Sequence, residues 1–206
     1  MNTLLLASKS RSRRMSLDTA KIPYVLYEHE IDERACSWEL PVEELVLLLA
    51  RQKMQAVDYD VLGSSNRSDA LFVLTADTLT QDDQGIIHGK PFSYDDACAM
   101  IAAFRNREAR IATGFRLERR VWDGAAWCTD REHEEVVIGT CCFSIPEHAV
   151  ADYIEQTSAL SCAGGMEIEG YGMQFVRYVA GSYSAIMGMP LFELRTALEK
   201  MEFFKK

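Results

Sequence analysis

Apolar and polar positions fall into blocks whose periods predict the elements of this chain. Thr3–Ala7 and Tyr24–Tyr27 are short apolar runs of strand character. Between them, Met15, Leu17 and Ala20 predict a helix opening in the cluster Ser8-Lys9-Ser10-Arg11-Ser12-Arg13-Arg14. Pro41–Tyr59 is the clearest helix: Leu45, Leu48, Leu49, Gln52 and Ala56 trace a largely apolar stripe. Pro41 suits its first turn, and Glu43 and Glu44 suit its dipole. Leu71–Thr80 is a continuous apolar run that reads as a strand buried on both faces and ending at Ala76-Asp77-Thr78.

The second half alternates more. Gln81–Gln84 reads as a turn, and Ser93-Tyr94-Asp95-Asp96 as a capping box opening a helix through Ala97, Met100, Ile101 and Phe104. Ala109–Trp122, Ala126–Thr129 and Val136–Ile145 predict an antiparallel meander, interrupted by Asp123-Gly124 and by the charged stretch Asp130–Glu135. Ser144-Ile145-Pro146-Glu147 reads as a second capping box, before a helix through Val150, Tyr153 and Ile154. Gln174–Val179 is a strand, Gly181–Ser184 a turn, and Gly188-Met189-Pro190 leads into a last helix through Leu194, Leu198 and Met201. Gly63–Asp69 is expected to be a surface loop.

Composition narrows the function. The chain has 206 residues, 48% hydrophobic and 26% charged, as in a globular domain. A net charge of −9 and the lack of a basic, aromatic-laced stripe disfavour nucleic acid as a partner. No run approaches membrane-spanning length, so no membrane partner is expected. Leu4–Ala7 followed by Lys9 and Arg11 has the wrong length and charge order for a signal peptide. Six cysteines without C-x-x-C spacing and four scattered histidines argue against a structural zinc. The expectation is a reduced, cytoplasmic protein.

The chemistry concentrates at four places. Asp77 stands where ligands bind in open α/β sheets. The serines and arginines at 8–14, set where a strand meets a helix N-terminus, suit an anion. Lys90 is pinned between Gly89 and Pro91, so its side chain is aimed. Ser161–Gly172 is a glycine-rich loop carrying Glu167 and Glu169; without a third glycine, Gly170-Tyr171-Gly172 is no dinucleotide fingerprint. Lys53 sits at the edge of its helix stripe, where a lysine commonly snorkels to solvent. Within the acidic run after Tyr27, one carboxylate could serve magnesium, which takes one or two protein carboxylates plus phosphate oxygens and waters. Together these suit hydrolysis at phosphorus.

The same residues resemble the Maf family of nucleoside triphosphate pyrophosphatases nearly end to end. Leu6-Ala7-Ser8-Lys9-Ser10-Arg11-Ser12-Arg13-Arg14 is similar to its L-A-S-x-S-P-x-R-R, and Asp32-Glu33 to its D-E pair. Leu49-Ala50-Arg51-Gln52-Lys53, Ala76-Asp77-Thr78, Gly89-Lys90-Pro91 and Thr113-Gly114 resemble L-A-x-x-K, A-D-T, G-K-P and T-G. Ala163-Gly164-Gly165 through Gly172 resembles the late glycine loop, and Gly188-Met189-Pro190-Leu191 resembles G-L-P-L.

The resemblance implies one α/β domain over residues 1–206, with an elongated, curved mixed sheet flanked by helices in two lobes about a central cleft. It implies a house-cleaning hydrolase that cuts the α–β anhydride of a nucleoside triphosphate to the monophosphate and pyrophosphate with a divalent metal, Mg²⁺ or Mn²⁺. It implies a homodimer. Asp77, Lys90 and Lys53 would be catalytic; Glu33 and Asp77 would hold the metal; Ser8, Ser10, Arg13 and Arg14 would bind the triphosphate. Base choice is tied to Ser12, Thr78 and Glu169. Ser12, Cys162-Ala163-Gly164 and Glu169 look like the 7-methyl-GTP branch, whereas Thr78 is what the dTTP/UTP branch carries. The balance points to 7-methyl-GTP, with dTTP/UTP as the alternative and a non-catalytic regulator of septum formation as the reading from another class. Arg11 replaces the usual proline, and Ser16 replaces a usual leucine, which predicts a less buried helix face.

Overall fold

The computed structural model describes residues 2–28, 38–59 and 70–205. Glu33, the rest of the acidic run beyond Glu28, Cys36 and the expected loop Gly63–Asp69 lie outside the described residues. Seven strands form one mixed sheet in the order β2-β1-β3-β5-β6-β7, with β4 paired to β3. They are β1 (Leu4–Leu6), β2 (Tyr24–Leu26), β3 (Leu71–Gln81), β4 (Ile87–His88), β5 (Arg107–Trp122), β6 (Trp127–Phe143) and β7 (Val176–Gly181). The helices are α1 (Arg11–Thr19), α2 (Val42–Gln55), α3 (Tyr94–Phe104), α4 (Val150–Gln156), α5 (Tyr183–Ile186) and α6 (Leu191–Lys200). β1 runs parallel to β2 and β3, and β3 onward is antiparallel. None of the described helices is long and apolar enough to cross a membrane.

The strand period of two sorts β3 between two layers. Phe72, Leu74 and Ala76 join Leu17 of α1 and Leu194 and Leu198 of α6 in one apolar cluster. Further along that face, Ile111 and Phe143 pack with Ile101, Phe104 and Tyr153 of α3 and α4 in a second cluster. On the opposite face, Val73 and Leu79 pack under α2 through Met54 and through Val46 and Leu49. The buried stripe of α2 is Val42, Leu45, Val46, Leu49, Ala50 and Met54, and the helix stops at Gln55 rather than Tyr59. In α1, Leu17 is buried, but Met15 and Ala20 are exposed and Ser16 is buried. The serine therefore faces the core, against the expectation of a less buried face.

Three further expectations are corrected. β3 does not end at Asp77; it runs on to Gln81, held by β5 along its whole length. Asp130–Glu135 does not interrupt the meander, because β6 passes straight through it. Its charges are met across the sheet: Arg116 lies opposite Glu134 and also bonds Glu132 and Glu118, and Arg119 pairs with Asp130. Ser144 caps no helix. Its hydroxyl donates to Asn106 Oδ1, and a 3₁₀ turn at Glu147–Ala149 leads into α4. Ser93, by contrast, caps α3 by accepting the Asp96 N–H, while the Asp96 carboxylate accepts from Phe92 N.

Candidate active site

The last register pair between β1 and β3 is Leu6 with Leu74, and the first between β3 and β4 is His88 with Thr80. Among the described residues no strand pairs with this edge of β3 between them. A cavity of about 560 Å³ occupies the gap and reaches both faces of the sheet. Asp77 and Leu79 enter it from the α2 face, Thr78 and Thr80 from the other. Asp77 is thus mid-strand, but it lies past the end of β1, where the parallel part of the sheet stops.

Lys53 of α2 reaches across to Asp77 and donates to Oδ1. It does not snorkel: both side chains are nearly buried. Gly114 makes this possible. It sits opposite Asp77 in register, and a Cβ there would come within 3.0 Å of the Val46 backbone of α2.

Arg13 ties three segments together. Its Nε donates to Gly188 O at 2.9 Å, Nη1 to Ser8 Oγ at 3.1 Å and Nη2 to Thr78 Oγ1 at 3.0 Å. Thr113 gives its only hydroxyl proton to Ala185 O at 2.7 Å, so the 2.9 Å contact between the threonines must be donated by Thr78. A directed chain results, from Arg13 through Thr78 and Thr113 to the backbone of α5. Ser10 lines the cavity and caps α1, accepting the Arg13 N–H. The first turn of α1 therefore opens toward the cavity with its positive dipole end.

On the far wall, Lys90 and Glu169 meet around Cys162. Burial pushes the Cys162 thiol up to about 12, with Glu167 and Glu169 adding to the shift and Lys90 opposing it. Burial, with Glu167 beside it, also raises the Glu169 carboxyl above its ordinary value. Gly164 holds this loop against β3. Its φ of +66° and a would-be Cβ at 2.9 Å from the Phe104 ring leave room for no side chain.

Of the expected site residues, the structure brings Asp77, Lys53, Lys90, Ser10, Ser12, Arg13, Thr78 and Glu169 to one cavity. It does not bring Ser8 or Arg14 there. Ser8 is buried behind Arg13, accepting from its guanidinium and from Ser10 N. Arg14 is half-buried and makes its charge felt at the Tyr24 hydroxyl instead. Trp38 and His88, unremarked in the sequence, also line the cavity. His88 is missed because it matches no motif; only its place two residues before Lys90 could have drawn notice.

Asp77 offers one oxygen to a cation. Lys53 engages one Asp77 oxygen, and among the described residues Oδ2 has no hydrogen-bond partner, so it can serve a cation. The described residues contain no group of three or more His, Cys, Asp or Glu side chains able to hold an ion. A single free carboxylate oxygen suits an ion such as Mg²⁺, which takes one or two protein carboxylates with phosphate oxygens and water.

The profile of the Maf-like protein family matches residues 3–201. A dTTP/UTP pyrophosphatase of Desulfotalea psychrophila is 34% identical over 194 residues, covering 93% of this chain and 90% of that protein. A dTTP/UTP pyrophosphatase of Methylobacillus flagellatus is 33% identical over 195 residues, covering 94% and 89%. A nucleoside triphosphate pyrophosphatase of Prochlorococcus marinus is 31% identical over 209 residues, covering 96% of each chain. The mixed sheet flanked by helices, with a cavity at its β3 edge, is that of an α/β protein. The chain belongs to the Maf-like protein family.

Proposed function

We propose that this protein is a nucleoside triphosphate pyrophosphatase, a hydrolase acting on an acid anhydride, with dTTP and UTP as its substrates. The expectation of 7-methyl-GTP finds no support in the relatives, two of which are named for dTTP and UTP. The observation that carries the reading is the sharing of one cavity by Asp77 with Lys53, Lys90 and Arg13. Among the described residues that line the cavity, Arg13, Lys53 and Lys90 bring basic charge to it in a chain of net charge −9, as a polyphosphate requires.

In this reading the substrate lies along the open edge of β3, between the two apolar clusters, which act as the two lobes. Asp77, its Oδ1 oriented by Lys53, accepts the proton of the attacking water through Oδ2 or holds the cation. A divalent cation, when bound, would supply Lewis-acid polarisation of the phosphate oxygens. Asp77 would hold it, with Glu33 as the second expected ligand. Lys90 and the first turn of α1 stabilise phosphate charge, and Arg13 fixes Thr78 against the nucleoside.

The test is pyrophosphate release from dTTP, UTP, CTP and 7-methyl-GTP with Mg²⁺ or Mn²⁺. Asp77→Asn is expected to lower kcat by at least about 10²-fold. Equal activity of mutant and wild type, or release from 7-methyl-GTP alone, would refute the assignment.

A further inference from the structure

β4 ends in a histidine whose ring is held by Asp82 and packs on Phe104. His88 Nε2 lies 3.0 Å from Asp82 Oδ2. Asp82 Oδ1 already accepts the N–H groups of Gln84 and Ile86, at 3.0 and 2.8 Å. Burial works against this carboxylate, but the bonds from His88, Ile86 and Gln84 outweigh it and hold its pKa below the ordinary value. An ionised carboxylate only accepts, so Nε2 is the ring's donor, and in the neutral imidazole Nδ1 is left as an acceptor. The ring stands edge-on to Phe104, 5.0 Å between centroids, and Phe104 is fully buried. Among the described residues no hydrogen bond reaches Nδ1, and the ring lines the cavity.

The place of this acceptor is set by register. His88 is directly opposite Thr80, so the two share a face of the sheet. Thr78 is on the same face and is a diagonal cross-strand neighbour, about 7 Å away. The Gly89 carbonyl accepts from Gly164 N at 2.8 Å, which ties the end of β4 to the loop that carries Glu169. His88 therefore lines the same cavity as Thr78 and Glu169, beside the one in the sheet and joined to the loop of the other.

We infer that His88 is a specificity-determining residue whose Nδ1 accepts a hydrogen bond from a ring N–H of the nucleobase, with Asp82 as its positioning residue. The class of base this selects is one with a protonated ring nitrogen beside a carbonyl, such as uracil or thymine at N3. Cytosine presents a bare nitrogen at that place, and two acceptors facing each other repel. The inference rests on the pyrophosphatase reading and deepens it.

The test compares kcat/KM for UTP, CTP and 3-methyl-UTP by pyrophosphate release. Wild type is expected to prefer UTP over both by roughly tenfold or more, because a site built to bond an N–H rejects an analogue without it. His88→Phe keeps the packing on Phe104 and removes the acceptor; the UTP to CTP ratio is expected to fall roughly tenfold. His88→Gln keeps a donor for Asp82 and an acceptor for the base, and is expected to recover part of the ratio. Asp82→Ala, which touches no ligand, is expected to lower the ratio too. An unchanged ratio in active, folded His88→Phe overturns the inference, as does an equal fall in the Phe and Gln variants. If His88→Phe does not fold, equal use of UTP and 3-methyl-UTP by wild type overturns it. Failure of wild type to release pyrophosphate from any nucleotide removes the pyrophosphatase reading instead, so the two failures are distinct.

Discussion

Asp77 and Thr78 are consecutive in the chain, project from opposite faces of β3 and line the same cavity. This works only because the strand edge between Leu74 and Thr80 carries no strand partner among the described residues. The α2 face supplies the Asp77–Lys53 pair, and the α1 face supplies Arg13 and the threonine chain. In the proposed function, reaction and recognition are divided between two sides of one strand.

Lys53→Met removes the ammonium that orients Asp77 and leaves a nearly buried carboxylate without its donor. A charged hydrogen bond of this kind is worth about 1–3 kcal/mol, so stability is expected to fall by that order. Activity is expected to fall by roughly a hundredfold through misplacement of Asp77. Denaturant melts and kcat measured on one preparation check both.

Thr78→Val and Thr113→Val each break the chain from Arg13 to Ala185. Thr113 is fully buried, so its loss leaves Ala185 O without that donor and is expected to cost about 1–3 kcal/mol. Because the two hydroxyls share one bond, a double-mutant cycle is expected to show coupling of about 0.5 kcal/mol or more. Additivity would show that the directed chain is not there.

Much of the fold is legible in the sequence. The runs at Thr3–Ala7 and Leu71–Thr80 fall on β1 and β3, the helix periods fall on α2, α3 and α6, and Ser10, Arg13, Asp77 and Lys90, singled out by local signals, share one cavity. What was illegible depends on partners distant in sequence. Glu132 and Glu134 read as loop because their arginines lie on another strand or helix. Lys53 reads as a solvent residue until Asp77 is brought over it. Ser144 has every local mark of a cap, yet Asn106, 38 residues away, takes its hydroxyl.

Ser16 exposes the opposite kind of misreading. Its hydroxyl is buried and has no hydrogen-bond partner among the described residues. Ser16→Ala removes the desolvated group and favours the helix, and is expected to raise stability by about 0.5–1 kcal/mol. Thermal melting checks the sign; a clear loss would mean the hydroxyl is satisfied in solution.

Two glutamates give opposite responses to pH. The Glu134 carboxyl is held below its ordinary 4.5 by hydrogen bonds from Arg51 and, against the effect of burial, from Arg116. A lowered folded pKa means stability present above about 4.5 and lost as pH falls through the folded value. Glu134→Gln is therefore expected to flatten the acid limb of the stability curve. Glu169 is raised, chiefly by burial, so folding favours its protonated form. Its contribution is greatest below about 4.5 and is lost as pH rises through the folded value. Glu169→Gln is expected to gain stability over wild type at pH 7 and to lose that advantage in acid. Urea titrations across pH check both signs.

Gly114 lies in the middle of a long strand, where glycine is the weakest choice on backbone grounds. Selection for heat resistance would reward filling it, and a methyl group there would press on Val46 and lever the helix outward. The few tenths of an ångström so added are subtracted from the reach of Lys53. At this position robustness and turnover are competing demands, and the bare α-carbon marks which of them has been met.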